Sequence, residues 1–211
     1  MEIQLKKAMV YDLDNTLYPV NSIGHELFAP LFQLIEDSGN HQDQMEEIKK
    51  DIMRKPFQEV AHHYGFDDQL KSEGLEMLKD LTYEKNIEMF DDYYAILELP
   101  GDRFLVTTGF KNMQDSKIKQ MGIEQDFKEI YVVDPSISDL SKKDIFSKIM
   151  EENRLAPSEM MVIGDDPDSE IKAAEELGIE TVLYNKLKLT DHPHADHIIN
   201  DFRELVVILT K

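Results

Sequence analysis

The 211-residue chain has no cysteine, few basic side chains relative to its acids, no internal repeat and no long uninterrupted apolar run. Without cysteine, disulfides, thiolate metal sites and cysteine nucleophiles are excluded, and the composition fits a reducing compartment. With 23 Lys+Arg against 43 Asp+Glu the formal charge is -20, so general binding to nucleic acid or to an anionic membrane is not expected, because such surfaces need net positive charge to displace counterions. A local basic pocket remains open. The N-terminal stretch MEIQLKKAMVYDLD carries only a brief apolar run, broken by Asp12, and reads as neither a secretion signal nor a membrane span. The expectation is a cytoplasmic globular protein with no nucleic-acid or membrane partner; its oligomeric state is not legible.

What is present is 41% hydrophobic residues, clustered rather than diluted by the 31% charged ones, which suits one domain with a large insertion or two small domains. Residues 1–19, 20–99 and 100–211 carry net charges of -1, -11 and -8. The acidic middle reads as helical, with apolar spacing that predicts helices over Ile23–Asp37, Gln42–Arg54, Phe57–His63, Gln69–Leu81 and Asp91–Glu98. On either side, Ala8–Tyr11, Phe104–Val106, Ile130–Val133, Met160–Ile163 and Thr181–Leu183 are strand-length apolar runs. Helical stretches Asn112–Met121, Lys142–Asn153 and Ser169–Leu177 fall between the later ones. A short strand near His197–Ile199 and an Asp201-capped helix to Leu209 close the chain. Alternating strands and helices imply a Rossmann-like parallel α/β sheet flanked by helices, formed by residues 1–19 and 99–211 and interrupted by a helical insertion over 20–98.

Four of the strands run into polar groups: Asp12 and Asp14, Thr107-Thr108-Gly109, Asp134, and Asp165-Asp166. In an open parallel sheet these carboxyl ends share one edge, where ligands bind. Asp12 and Asp14 are two apart and project the same way if the backbone stays extended, and Asp165 supplies a third acid. Two unit charges ~4 Å apart repel by ~4 kcal/mol at an effective dielectric near 20. Such a cluster therefore asks for a hard cation, and a small number of oxygen ligands fits Mg²⁺. Thr107, Thr108, the backbone N–H groups near Gly109 and a lysine at Lys142 or Lys143 suit a phosphoryl group. Any one of these sites is explained by turn formation or capping alone; the four together are not.

These residues resemble the haloacid dehalogenase (HAD) superfamily along nearly the whole chain. The resemblance rests on Asp12-Leu13-Asp14-Asn15-Thr16 after an apolar strand, on Thr107 ending Leu105-Val106-Thr107, on Lys142 before a helix, and on Gly164-Asp165-Asp166 with Glu170. It implies that Asp12 is a nucleophile forming an aspartyl-phosphate. Asp14 would be the general acid and base. Mg²⁺ would be held by Asp12, the backbone carbonyl of Asp14, and Asp165, while Thr107, Thr108 and Lys142 hold the phosphoryl oxygens. The superfamily's second acid of the last motif is usually Asp, whereas Glu170 stands here, so Asp166 or Glu170 is left to fill that place beside the metal ligands. An acid at Asp14 favours phosphatases and phosphomutases over dehalogenases and cation pumps. The implied activity is hydrolysis of a small phosphomonoester, a nucleoside monophosphate or a sugar phosphate, with a mutase or a non-catalytic phosphometabolite-binding protein as alternatives. The insertion occupies the place of the superfamily's cap. The string DLDNTLYP is similar to the branch of pyrimidine 5'-nucleotidase-like proteins.

Other features read as structural. His62 and His63 point about 100° apart on a helix, and the irregular spacing of His192, His194, Asp196 and His197 predicts no zinc geometry. Asp134 reads as a turn residue, and Phe57, Tyr64, Phe66, Tyr93 and Tyr94 as the core of the insertion.

Overall fold

The computed structural model describes residues 6–190 and 193–210. Six strands, β1 (Ala8–Tyr11), β2 (Asp102–Thr108), β3 (Glu129–Val133), β4 (Met160–Gly164), β5 (Glu180–Tyr184) and β6 (His197–Ile199), form one sheet. Every pairing is parallel and the order is β3-β2-β1-β4-β5-β6. β1 is fully buried, and its four residues alternate between the two faces. Met9 and Tyr11 join Leu105, Met161, Ile163 and Tyr184 on one face. Ala8 and Val10 join Phe104, Val106 and Val162 on the other, under Ile145, Phe146 and Ile149. Tyr11 lies beside Leu105 of β2 and Ile163 of β4, so the three strands end at the same edge, with β2 running on past this level to Thr108 and β4 to Gly164. The chain leaves β1 toward β2 and β3, then returns across it to β4, which makes this edge a topological switch point.

Between β1 and β2 lie α1 (Asn21–Leu27), α2 (Ala29–Asp37), α3 (Met45–Ile52), α4 (Phe57–His63) and α5 (Asp68–Asp80), followed by a 3₁₀ segment at Tyr93–Glu98. The core connections carry α6 (Lys111–Met121), α7 (Lys142–Asn153) and α8 (Lys172–Glu175), and α9 (Leu205–Leu209) follows β6. The helix expected over Ile23–Asp37 is two helices meeting at Phe28. Pro30 stands in the first turn of α2 and has no N–H to continue the earlier ladder. The helix expected from Ser169 starts instead as a π-helical turn over Pro167–Ile171 and continues as α8.

The insertion is not cored separately from the sheet. Leu31, Ile35, Ile48, Phe57 and Phe66 belong to the same apolar cluster as Tyr11 and Ile163. Its return segment is fixed to the core by Asp92, which is buried and accepts from Tyr184 Oη at 2.9 Å and from the Phe202 backbone N–H at 2.8 Å. Phe57, Phe66 and Tyr93 are buried as expected, whereas Tyr94 is exposed, placed edge-on to Tyr93 at the surface. His62 and His63 are both exposed. His194 and His197 face Glu175 and Glu180, and Asp196 accepts from Thr181; His192 lies outside the described residues.

Candidate active site

The loop that leaves β1 starts with the Asp12 N–H donating to Ile163 O at 3.0 Å, which ties the first acid to the end of β4. Asn15 adopts a left-handed conformation, φ 59°, and its Oδ1 accepts from the Val20 N–H at 3.0 Å. Asn tolerates this region better than bulkier residues, and the turn sends the chain outward into the insertion. At the start of α7, Ser141 and Asp144 form a capping box. That fixes the first helical residue, Lys142, which reaches under the sheet edge: Nζ lies 2.6 Å from Asp12 Oδ1 and 2.7 Å from Glu170 Oε2. Lys143 turns to the outer face and pairs with Glu176 at 2.8 Å. Of the two adjacent lysines, Lys142 alone reaches Asp12.

After β4, Asp165 receives the Thr16 hydroxyl at 3.3 Å. Asp166 turns away to cap the π-helical turn, accepting from the Asp168 N–H at 2.9 Å. Glu170 folds back from that turn, with Oε1 accepting from the Asp166 N–H at 2.8 Å and Oε2 facing Lys142. Its path crosses Gly164, where a Cβ would stand 2.1 Å from Glu170 Oε1; only glycine leaves that space. Asp12, Asp165 and Glu170 thereby each bring one carboxylate oxygen within 4.8 Å of one another, the one such acidic group found among the described residues. The Asp14 side chain stands outside this cluster.

Three acids around one lysine leave negative charge in excess. Burial pushes Asp12 up to about 7, with Glu170 and Asp14 adding to the rise and Lys142 opposing it. Burial, then Glu170 and Asp12, hold Asp165 well above the usual carboxylate range. Lys142 is raised, because Asp12 and Glu170 outweigh the burial that would lower it. An all-oxygen donor set with uncompensated charge is what a hard divalent cation requires, and thiolate or imidazole ligands that would select a softer metal are absent from it.

Thr107 is buried at the end of β2 and accepts from Gln114 Nε2 at 2.7 Å, while Thr108 is exposed beside it. Asp134, at the end of β3, accepts from the Lys111 N–H and from Ser136, serving the start of α6 and its own turn. Asp14 has partners that the sequence reading did not identify: Lys117 and Gln114 of α6, and Tyr18. Burial would raise Asp14, but Lys117, Tyr18 and Gln114 together hold it below the usual range. Gln114 and Lys117 are three apart, on the face of α6 that also buries Ile118 and Met121. A polar residue in register with an apolar helical face was the available signal.

A cavity of about 430 Å³ opens over these groups, a size that suits a small ligand. Its lining includes Asp12, Thr108, Lys142 and Asp165 from the core, and Phe28 and Phe57 from the insertion.

Paired acids after a central strand, hydroxyls at the end of its neighbour, a lysine opening a helix beside them, and a helical insertion that lines the cavity define a parallel α/β core with a candidate site. The chain belongs to the haloacid dehalogenase-like hydrolase family, which residues 9–184 match. It is 25% identical over 217 residues to glyceraldehyde 3-phosphate phosphatase of Methanopyrus kandleri, covering 93% of this chain and 91% of that protein. It is 22% identical to N-acylneuraminate-9-phosphatase of Mus musculus, covering 99% and 96%. The magnesium-bound HAD hydrolase YfnB of Bacillus subtilis shares the fold at a TM-score of 0.63 and 18% identity, covering 98% of this chain and 100% of that one.

Proposed function

We propose that this protein is a Mg²⁺-dependent phosphatase that hydrolyses a small phosphomonoester through an aspartyl-phosphate on Asp12. The observation that carries the reading is the convergence of Asp12, Thr107, Lys142, Asp165 and Glu170 on one cavity at the switch point of the sheet. The relatives named for phosphatase activity act on a triose phosphate and on the phosphate ester of a sugar acid, which supports a sugar-phosphate substrate over a nucleoside monophosphate.

The carboxylates of Asp12 and Asp165, with Glu170 beside them, would hold Mg²⁺. The ion supplies positive charge that offsets the substrate phosphate and the nucleophile. Lys142, fixed between Asp12 and Glu170, offsets part of the proton affinity that burial gives Asp12 and faces the phosphoryl oxygens, and Thr107 and Thr108 offer them hydroxyls. An Asp12 oxygen forms a bond to phosphorus as the bond to the ester oxygen breaks. The electron pair stays on that oxygen, and Asp14 gives it a proton. In the second half Asp14 removes a proton from water as the water attacks the phosphoryl group and releases Asp12. Resting Asp14, held ionised by Lys117, suits this second half; for the first half it takes up a proton from solvent as the negatively charged substrate enters beside it. The helices between β1 and β2 act as a cap that excludes water and selects the ester. A cysteine-free, acidic chain with this site fits a cytoplasmic enzyme of small-metabolite turnover.

Release of inorganic phosphate from a panel of sugar phosphates and nucleotides tests the proposal. Activity is expected that EDTA removes and Asp12→Asn abolishes. Undiminished turnover by that variant excludes Asp12 as nucleophile, and an isomerised sugar phosphate without free phosphate would mark a mutase instead.

A further inference from the structure

Lys117 is the one lysine among the described residues that is buried away from the acidic cluster. It rises from the second turn of α6, the helix that follows the phosphate-facing end of β2, and its Nζ stands 2.9 and 3.0 Å from the two Asp14 carboxylate oxygens. The same nitrogen lies 6.0 Å over the Tyr18 ring, within range of a cation–π contact, and the Tyr18 hydroxyl donates to Asp14 Oδ1. Gln114, one turn earlier, spans from Asp14 Oδ2 at 2.9 Å to Thr107 Oγ1 at 2.7 Å through one amide nitrogen. Turning the amide over would set its oxygen against the Asp14 carboxylate, so the orientation is fixed by charge. Gln114 Oε1 is buried with no hydrogen-bond partner among the described residues, a cost accepted for the reach of the nitrogen.

Stability alone does not account for this arrangement. A lysine enclosed against a half-buried carboxylate contributes little net stability compared with well-packed apolar residues of the same volume. What the pair does supply is position. Asp14 sits on a turn two residues past Asp12, and without lateral support its carboxylate can take several rotamers. Lys117 grips both oxygens, and Gln114 sets their distance from Thr107, one of the groups proposed to face the phosphoryl oxygens.

We propose that Lys117 is the positioning residue for departure of the leaving group: it fixes the Asp14 carboxylate relative to Asp12 and Thr107, and so governs how fast the ester P–O bond breaks for esters whose leaving oxygen needs a proton. The inference rests on the role proposed above for Asp14. Acid–base assistance contributes about 10²–10⁴-fold to a rate, and a misplaced acid forfeits part of that.

The test compares kcat/KM, which reports the step up to loss of the alcohol, for two esters: p-nitrophenyl phosphate, whose leaving group departs without a proton, and the alkyl phosphate turned over fastest in the substrate panel. Lys117→Met is expected to lower the alkyl value about 100-fold and the p-nitrophenyl value less than about threefold. In an Asp14→Asn background, Lys117→Met should add less than about twofold on either ester, since the two residues act as a unit. Equal losses on both esters, or a full multiplication of the two single effects, overturns the proposal. If Lys117→Met alone does not fold, the double variant, which removes both charges together, is compared with Asp14→Asn, and a further loss beyond twofold overturns it. Asp14→Asn losing equally on both esters would instead defeat the acid role of Asp14, a result separable from any outcome at Lys117.

Discussion

Gly164→Ala is expected to damage the site although it adds one methyl group and asks nothing unusual of the backbone, since Gly164 is not among the residues with positive φ. The new Cβ would stand 2.1 Å from Glu170 Oε1, 2.4 Å from its Cγ and 2.5 Å from its Cδ. Contacts that run along the side chain cannot be relieved by moving its tip, so Glu170 must leave its position. Leaving breaks its bond to Lys142 at 2.7 Å and its bond from the Asp166 N–H at 2.8 Å. Hydrogen bonds to charged groups contribute about 1.5–3 kcal/mol each, so the loss is about 3 kcal/mol at the lower bound. For a chain of this size that lowers Tm by about 6–12 °C. Differential scanning calorimetry measures the melting shift and isothermal titration the Mg²⁺ affinity, which should also weaken as the third carboxylate is displaced. Because the damage runs through Glu170, Gly164→Ala should cost much less in a Glu170→Ala background. Wild-type melting and metal binding in Gly164→Ala, or full additivity in the double variant, would refute the reasoning.

Metal and pH should act together on stability. Asp12 and Asp165 are raised by burial, so relative to the unfolded chain the folded metal-free protein binds extra protons between the ordinary carboxylate range and, for Asp12, about 7. That contribution is full below the unfolded value and is lost as pH rises through the folded one. In EDTA, Tm should therefore fall from pH 5 to pH 8, and the increase produced by Mg²⁺ should grow over the same range; an equal Mg²⁺ effect at both ends contradicts this. The adjacent lysines should part sharply. Lys142→Met leaves buried acids unpaired, at a cost of about 3–5 kcal/mol, and removes turnover, whereas Lys143→Ala, losing an exposed pair with Glu176, should stay within about 0.5 kcal/mol and remain active.

The strands were legible as short apolar runs, four of them ending in polar groups, and β1 matches its expected residues Ala8–Tyr11. The break at Phe28 was less visible, since the apolar spacing of Ile23–Asp37 carries across Pro30 and only the missing N–H interrupts it. At the site, Asp12, Thr107 and Asp165 could be placed because strand ends in a parallel sheet share one edge, and Lys142 because it opens a helix. Spacing to Phe146 favours Lys142 over Lys143, and the Ser141–Asp144 capping box agrees with it; between Asp166 and Glu170 the sequence left the choice open, because the π-helical turn that folds Glu170 back is a local geometry that spacing does not encode. Lys117 and Gln114 were missed because polar side chains in KNMQDSKIKQM read as solvated, although these two share a face with Ile118 and Met121. Their burial follows from where Asp14 and Tyr18 lie in space, a long-range fact of the fold.

The aspartyl-phosphate is tested most directly by quenching the enzyme in acid during turnover, reducing it with borohydride and mapping the peptides. An acyl phosphate on Asp12 is reduced to homoserine at position 12, and that product is expected with substrate and Mg²⁺ and absent without substrate. Rapid turnover with Asp12 unmodified and homoserine at another acid, Asp14 or Asp165, would contradict the assignment of the nucleophile.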